Sequence, residues 1–242
     1  KSEADIAIVE MGAYRTGEIE KICDFVQPTI GIITFVGTQH MSLFGSEEKI
    51  CQAKGELIAA LPKDGTCFLN ADSSLCAEIG RDAACKIVTI GTAGKVDLEA
   101  REIEETSEGI RFRIEDTVFM IPLHGTHNVT NALLAIACAE KLGMGRKDIA
   151  TRLRSFVPPQ HTFSMQKRGS ITILDDTHNS SPMSFKSAIV WARSQPEEPK
   201  ILLSSGLIEL GPNQDRIHSD LGTYATNVFN RVIFVSRTSG KQ

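Results

Sequence analysis

Several common features are missing from this sequence of 242 residues, and each absence narrows its possible roles. It has no run of lysine or arginine and carries a formal net charge of −4, which argues against nucleic acid as a partner. It has no apolar stretch near the roughly 20 residues that a membrane-spanning helix needs, so we expect no membrane association. No secretory leader is recognisable at its start, and structural zinc is unexpected because its six cysteines form no C-x-x-C pair.

The cysteines instead suggest the compartment. Four of them lie in apolar or helical segments that suit buried free thiols, namely Cys23, Cys51, Cys67 and Cys138. Free thiols persist where the environment is reducing, so the sequence predicts a cytoplasmic protein.

Strand-like and helix-like segments alternate through the first 90 residues, which predicts an α/β fold with a parallel sheet. The helix predicted over 47–61 is the strongest: Ser46 can cap it, acidic residues suit its first turn, and Pro62 stops it. The other predicted elements here are the strands 6–9, 31–34, 67–70 and 86–90 and the helix 17–26.

The pattern changes after Asp97. Segments 110–115 and 117–123 alternate around a short acidic turn, as an antiparallel hairpin does, and an Ala/Leu-rich helix is predicted over 128–142. Pro158-Pro159 makes a stiff link, so we expect domains at 1–157 and 158–242. The α/β alternation then resumes, with strands predicted at 171–174, 201–203 and 232–235 and helices at 184–193 and 215–228.

Three residues in the first quarter of the chain could carry chemistry. Glu10 ends a predicted strand and His40 lies in the loop after another, where open parallel sheets bind ligands, so the two could hold a divalent metal. The alternative is that Glu10 pairs with an arginine and His40 is a hydrogen-bonded loop residue. Lys54 lies on the apolar side of the helix 47–61, which is unfavourable without a partner or a function, unless it extends to solvent.

Six motifs, in this order along the chain, resemble those of the Mur ligases, ATP-dependent enzymes that form the peptide bonds of bacterial cell-wall precursors. They are V-E-M-G-A-x-x-x-G-E-I (9–19), H-x-x-x-F-G-S with A-K-G-E-L (40–57), L-N-A-D (69–72), H-N-x-x-N-A-L-x-A (127–135), D-D-T-x-N-S-S-P (175–182) and G-L-I-E-L-G (206–211). The resemblance implies a P-loop-type central ATPase domain, truncated at its N-terminus, followed by part of a Rossmann-like C-terminal domain. Within the family, it favours the type that adds D-alanyl-D-alanine to a UDP-linked muramoyl tripeptide.

The resemblance also implies cofactors and partners. ATP and Mg²⁺ would be bound, and a UDP-linked muramoyl peptide and an amino acid or dipeptide would be joined by a monomeric enzyme. Glu10, His40 and Lys54 would lie at the metal, with Lys54 converted by carbon dioxide to a carbamate, an anion suited to a hard cation. Lys54 and His40 would be the catalytic residues.

The nucleotide residues implied by the resemblance come from two parts of the chain. His127, Asn128 and Asn131 would form the adenine side, since an Asn amide both donates to and accepts from adenine. Asn128 could alternatively be a helix N-cap, or serve both roles. Asp176 and His178 would contact the nucleotide from the C-terminal domain.

The chain departs from the family pattern at three positions. Phe35 stands where the family usually has Asn, and His178 stands where this type usually has Tyr. The family also usually carries an Arg near position 162, where this chain has Thr162. We therefore expect a weak C-terminal contribution to ATP binding, because Thr cannot replace an Arg–phosphate contact.

The family also carries a phosphate-binding loop shortly before the strand that ends at Glu10, and nothing precedes Lys1 in this sequence. We read the chain as part of a longer protein and expect it not to turn over ATP alone. Segment 91–95 is predicted to be a turn and not a substitute loop, because Val96 replaces the usual Ser or Thr. Two other functions stay open, a related ligase acting on folates or cyanophycin and a non-catalytic relative that binds a partner.

Overall fold

The computed structural model describes residues 4–37, 41–106, 108–178, 180–208 and 210–235. Its first sheet is parallel and contains strands β1 (Ile30–Ile33), β2 (Thr66–Asn70), β3 (Lys86–Gly91) and β4 (Leu98–Glu99), in that spatial order. Every residue of β2 is buried, as in a parallel sheet that is covered on both faces. The predicted α/β class is confirmed.

Helix α1 (Glu18–Val26) precedes β1, and helices α2 (Met41–Phe44), α3 (Glu47–Ala60) and α4 (Ser74–Ile79) lie in the connections between β1, β2 and β3. The predicted start of α3 is confirmed, because the Ser46 hydroxyl accepts a hydrogen bond from the Lys49 backbone N–H at 3.4 Å. Ile50, Ala53 and Ile58 of α3 pack with α1, α4 and one face of the sheet into a first apolar cluster.

The other face of the sheet forms a second cluster. It packs against helix α5 (His127–Lys141) and an antiparallel sheet of β5 (Arg101–Thr106), β6 (Gly109–Ile114) and β7 (Thr117–Ile121), and helix α6 (Arg146–Arg154) follows. The predicted hairpin is β6–β7, where the rings of Phe112 and Phe119 stack 5.4 Å apart. Cys67 and Leu69 of β2 join the first cluster and Phe68 the second, because side chains alternate along a strand.

The C-terminal region, residues 158–235, has smaller sheets. Strands β8 (Ser164–Arg168) and β9 (Ile171–Asp175) pair antiparallel, and β10 (Ile201–Ser204) and β11 (Arg231–Phe234) pair in parallel. Helices α7 (Pro182–Ser194) and α8 (Gln214–Thr226) pack beside them, with a short 3₁₀ helix before α8. We call residues 4–157 the N-terminal region; the domain boundary near Pro158 stays a prediction.

The strand predicted at 6–9 is wrong. Those residues form no strand, and Ile6, Ile8 and Val9 are 46–93% exposed. Apolar residues form a stable strand only when their backbone groups pair with a neighbour, and no described strand pairs with this segment.

All six cysteines are free thiols, and burial raises the pKa of the Cys67 thiol to about 12. In the described part of the chain, no helix is both long and apolar enough to cross a bilayer.

Candidate functional site

Lys54 lies on α3 in a partly buried position. Desolvation lowers the pKa of its amine below the ordinary value, and nearby Cys76 and Glu10 oppose that shift only in part. The structure therefore brings Lys54 and Glu10 within electrostatic range of each other, and burial makes the amine easier to deprotonate than an exposed lysine. His40, the third predicted ligand, lies outside the described residues.

Glu56 has a role that sequence reasoning missed, although it belongs to the quoted A-K-G-E-L motif. Its carboxylate accepts hydrogen bonds from the backbone N–H groups of Gly17, at 2.5 Å, and Glu20, at 3.1 Å. These N–H groups lie at the start of α1, where a helix has unpaired donors and the positive end of its dipole. Glu56 thus fixes α1 on α3, two residues from Lys54.

The three predicted adenine-side residues lie in the first two turns of α5. Asn128 donates through Nδ2 to the His124 carbonyl oxygen at 2.8 Å, and its Oδ1 accepts from Asn131 at 3.3 Å. The helix begins at His127, with Thr126 at the N-cap position, so the alternative of Asn128 as N-cap is wrong. Asn128 instead ties the loop before α5 to Asn131.

The imidazole of His127 packs over Gly125. Gly125 has a φ of +85°, and a Cβ there would lie 2.7 Å from the ring, so this approach requires glycine. Burial lowers the pKa of His127, and Asp176 and Glu105 oppose the shift only in part, which favours a neutral ring. Its Nδ1 is buried, and no described group bonds to it. A buried polar atom of this kind calls for a partner from outside the chain, either water or a ligand.

Asp176 approaches the same histidine from the C-terminal region. Its carboxylate accepts from the Phe163 backbone N–H at 3.0 Å and from the hydroxyls of Ser180 at 3.3 Å and Ser184 at 2.5 Å. The Phe163 ring meets His127 edge-on, with centroids 5.8 Å apart. The structure thus brings together Asp176 and His127, which are far apart in sequence.

His178 is less clearly placed. It is exposed, and its described hydrogen bond runs from its backbone N–H to the carbonyl oxygen of His161, at 2.9 Å. The described contacts of the chain therefore do not bring its imidazole to α5.

A cavity of about 370 Å³ lies between the carboxyl ends of β1 and β2 and the start of α7. This is where open parallel sheets bind ligands. Its wall includes Phe35, one of the three departures from the family pattern. The other lining residues are Val36, Gly37, Asp72, Ser73, Ser74, Leu75, Ser181, Pro182 and Met183. Gly91 ends β3, and residues 92–95 form a bend between β3 and β4, so segment 91–95 is no phosphate-binding loop followed by a helix.

Comparison with known proteins decides the family, since the Mur ligase middle domain matches residues 1–139 of the chain. The chain belongs to the Mur ligase family. This Mur ligase family member is 32% identical to the UDP-N-acetylmuramoyl-tripeptide--D-alanyl-D-alanine ligase of Bacillus subtilis (strain 168), over 90% of the chain and 48% of that protein. It is 32% identical to the ligase of the same name from Synechocystis, over 90% of the chain and 47% of the relative.

The fold agrees with this assignment. MurF from Acinetobacter baumannii superposes with a TM-score of 0.86 and 26% identity, over 96% of this chain and 56% of that one. MurF from Thermotoga maritima, solved with ADP, superposes with a TM-score of 0.80. Its sequence identity of 22% means that this likeness supports the fold alone. The resemblance deduced from the motifs is confirmed. The chain spans about half the length of the curated relatives that it matches, and the roles of individual site residues stay predictions.

Proposed function

We propose that the protein carrying this chain, called the whole protein below, is an ATP-dependent ligase that adds D-alanyl-D-alanine to a UDP-N-acetylmuramoyl tripeptide. The observation that carries the proposal is the extent of the similarity: the relatives of that name match through both the N-terminal and the C-terminal region. A likeness to the ATPase fold alone would leave the amine substrate open.

The reaction would proceed in two displacements. A terminal carboxylate oxygen of the tripeptide attacks the γ-phosphorus of ATP, the bond to ADP breaks, and an acyl phosphate forms. The amine of the dipeptide then attacks the acyl carbon, the carbon–oxygen bond to phosphate breaks, and the nitrogen loses a proton. Amide, ADP and inorganic phosphate are the products.

Lys54 would be a carbamate in the working enzyme. Carbon dioxide adds to a neutral amine, which loses a proton, and burial lowers the pKa of the Lys54 amine, so that its neutral form costs less to reach. The product anion beside Glu10 would give two hard oxygen donors, the kind that Mg²⁺ prefers. Glu10, Lys54 and His40 would therefore hold the metal, which when bound would neutralise phosphate charge.

The nucleotide base would bind at the first two turns of α5. The unpartnered Nδ1 of His127 supports this site, since a neutral imidazole can pair with a polar edge of adenine. Asn131 is exposed, and its described hydrogen bond uses one of its two N–H protons. Asp176 and His178 would approach from the C-terminal region, with Asp176 already oriented by three hydrogen bonds.

The compartment and oligomeric state belong to the same proposal. Six free thiols suit a reducing cytoplasm, where nucleotide-linked precursors and ATP would also be found. We propose a monomer, because the reaction scheme requires no second subunit.

The proposal is tested by incubating the whole protein with ATP, magnesium, UDP-N-acetylmuramoyl tripeptide and D-alanyl-D-alanine. We expect phosphate release that requires both substrates, and a product whose mass equals their sum minus water. Glutamate with a folate, and aspartate with a cyanophycin primer, serve as competing pairs. Turnover of a competing pair, or none with any pair, would contradict the assignment.

Lys54→Ala tests the carbamate. We expect most activity to be lost and part of it to return with added formate or acetate, because a free carboxylate can occupy the vacated anionic position. Lys49→Ala, at an exposed position on the same helix, is the matched control and should keep full activity. A Lys54→Ala variant with normal activity would rule out this role.

A further inference from the structure

The turn at the end of β2, residues 70–73, makes contacts that have no assigned role in the proposed reaction. The Asn70 amide donates to the Thr34 carbonyl oxygen at 2.8 Å, and the Ser73 hydroxyl donates to the carbonyl oxygen of Val36 at 3.1 Å. Asn70 Oδ1 also accepts from the backbone N–H of Asp72 at 2.9 Å. The turn therefore holds the loop after β1 and at the same time fixes the backbone of Asp72.

The Asp72 carboxylate extends from this turn in the other direction. It accepts from the Thr92 backbone N–H at 3.0 Å and from the Thr92 hydroxyl at 3.1 Å. A Cβ at Gly91 would lie 2.7 Å from Asp72 Oδ1, so the carboxylate approaches the end of β3 this closely only beside glycine. Asp72 thus joins the ends of β2 and β3.

The same carboxylate reaches α5. The Thr130 hydroxyl donates to Asp72 Oδ2 at 3.0 Å, across 58 positions of sequence, and Thr130 is only 7% exposed. Thr130 lies between Asn128 and Asn131, two residues of the proposed adenine site. Hydrogen bonds to a charged acceptor are stronger than neutral ones, so this bond constrains where the first turns of α5 lie relative to the strand ends.

We propose that Asp72 is a positioning residue for the nucleotide base, acting through Thr130 to set the distance between the base-binding turns of α5 and the carboxyl ends of the sheet. The inference rests on the proposed function, because it takes the first turns of α5 as the base site. Asp72 touches no nucleotide in this scheme. Its effect would appear in recognition of the base and not in binding of the phosphates.

The test compares three ligands, ATP, GTP and inorganic tripolyphosphate, by calorimetry on the whole protein with magnesium. Thr130→Val keeps the shape of the side chain and removes the hydroxyl, so we expect ATP binding to weaken about tenfold, in line with loss of one charge-assisted hydrogen bond. Tripolyphosphate affinity should not change, and the preference for ATP over GTP should fall by a similar factor. A merely structural role would weaken all three ligands together.

Two further variants complete the test. Thr130→Ser retains the hydroxyl and should keep both the ATP affinity and the preference for ATP over GTP. Thr92→Val leaves the bond between Thr130 and Asp72 in place, so it should change the affinity and the preference less than Thr130→Val does. Thermal unfolding of each variant identifies any loss of folding. Unchanged ATP affinity and preference in a folded Thr130→Val protein would overturn the inference and leave the proposed function intact. A parent protein that does not bind ATP would overturn both.

Discussion

The N-terminal region has a core in which large side chains are completely enclosed: Phe112, Phe119 and Leu133 belong to the second apolar cluster and are 0–1% exposed. The C-terminal region has a smaller cluster around Leu207, Leu210 and Leu221 at 5–8% exposure. The contrast extends to its strands. Ile171, Ile201, Leu203 and Phe234 are 56–66% exposed.

The two regions are stabilised by different kinds of contact. A four-stranded sheet covered on both faces gives the N-terminal region two separate cores, whereas paired strands with one exposed face bury little apolar surface. The C-terminal region relies more on local polar contacts, such as those of Asp175 and Asp176, and on an aromatic contact with α5. The Phe163 ring contacts His127 of α5 with centroids 5.8 Å apart, and the ring of Trp191 lies 6.5 Å from Phe163 and 6.3 Å from His124 in the loop before α5.

Truncating one leucine in each core gives the largest expected effect. Leu133→Ala on α5 should lower the free energy of unfolding by about 3–5 kcal/mol, because a fully enclosed cavity cannot collapse, and Leu221→Ala on α8 by about 2 kcal/mol. Urea unfolding followed by circular dichroism measures both. Equal losses at the two sites would contradict the contrast between the regions.

Trp191 is the only tryptophan of the chain and reports on the C-terminal region. We expect its emission to shift at lower urea than the circular dichroism signal changes, because its surroundings bury less apolar surface. Phe163→Leu should lower the Trp191 midpoint further, because loss of the aromatic contact reduces the free energy of unfolding of this region by about 1 kcal/mol. Coincident transitions in both probes would mean that the two regions unfold as one unit.

Restoring an arginine should strengthen the contribution of the C-terminal region to the nucleotide site. Thr162 is exposed and precedes Phe163, whose ring contacts His127. In the whole protein, Thr162→Arg should tighten ATP binding by about 1–3 kcal/mol if the guanidinium reaches a phosphate. Thr162→Gln is the uncharged control in the same calorimetric measurement. An unchanged affinity would show that position 162 does not face the phosphates.

The smallest expected effect concerns a local polar contact. The Thr177 hydroxyl, 2.7 Å from Asp175, is the largest cause that lowers the pKa of that carboxyl, and His161 adds to it. The pKa of Asp175 in the folded protein therefore lies below its unfolded value of about 3.9. The ionised carboxyl contributes its full stabilisation above the unfolded pKa, and this stabilisation is lost as the pH falls through the folded pKa.

Thr177→Val should therefore raise the pKa of Asp175 and reduce stability near neutral pH by about 1 kcal/mol or less. A carboxyl titration by NMR measures the shift, and Thr172→Val on β9 serves as the control. An unchanged Asp175 titration would show that the hydroxyl does not stabilise the charged form.

Some elements could be predicted from sequence because their signals are local. Ser46 and Pro62 mark the limits of α3, and the acidic turn between 110–115 and 117–123 indicates the β6–β7 hairpin. Strand β8 was missed, because its sequence Ser-Met-Gln-Lys-Arg is largely polar and exposed and becomes a strand by pairing with β9. The strand predicted at 6–9 is wrong for the opposite reason. Its apolar pattern indicates a strand, but no described strand pairs with it.

The family, the parallel α/β class and the short list of residues that could carry chemistry could all be predicted from the amino-acid sequence, because motifs and periodicity depend on near neighbours. Which of these residues meet depends on the packing of the whole fold. It brought Glu10 within electrostatic range of Lys54 and Asp176 within range of His127, and it gave Glu56 and Asp72 partners 20 to 58 positions away. The physical reason is that hydrogen bonding and burial depend on distance in space, which the folded chain sets only once all its strands and helices have packed.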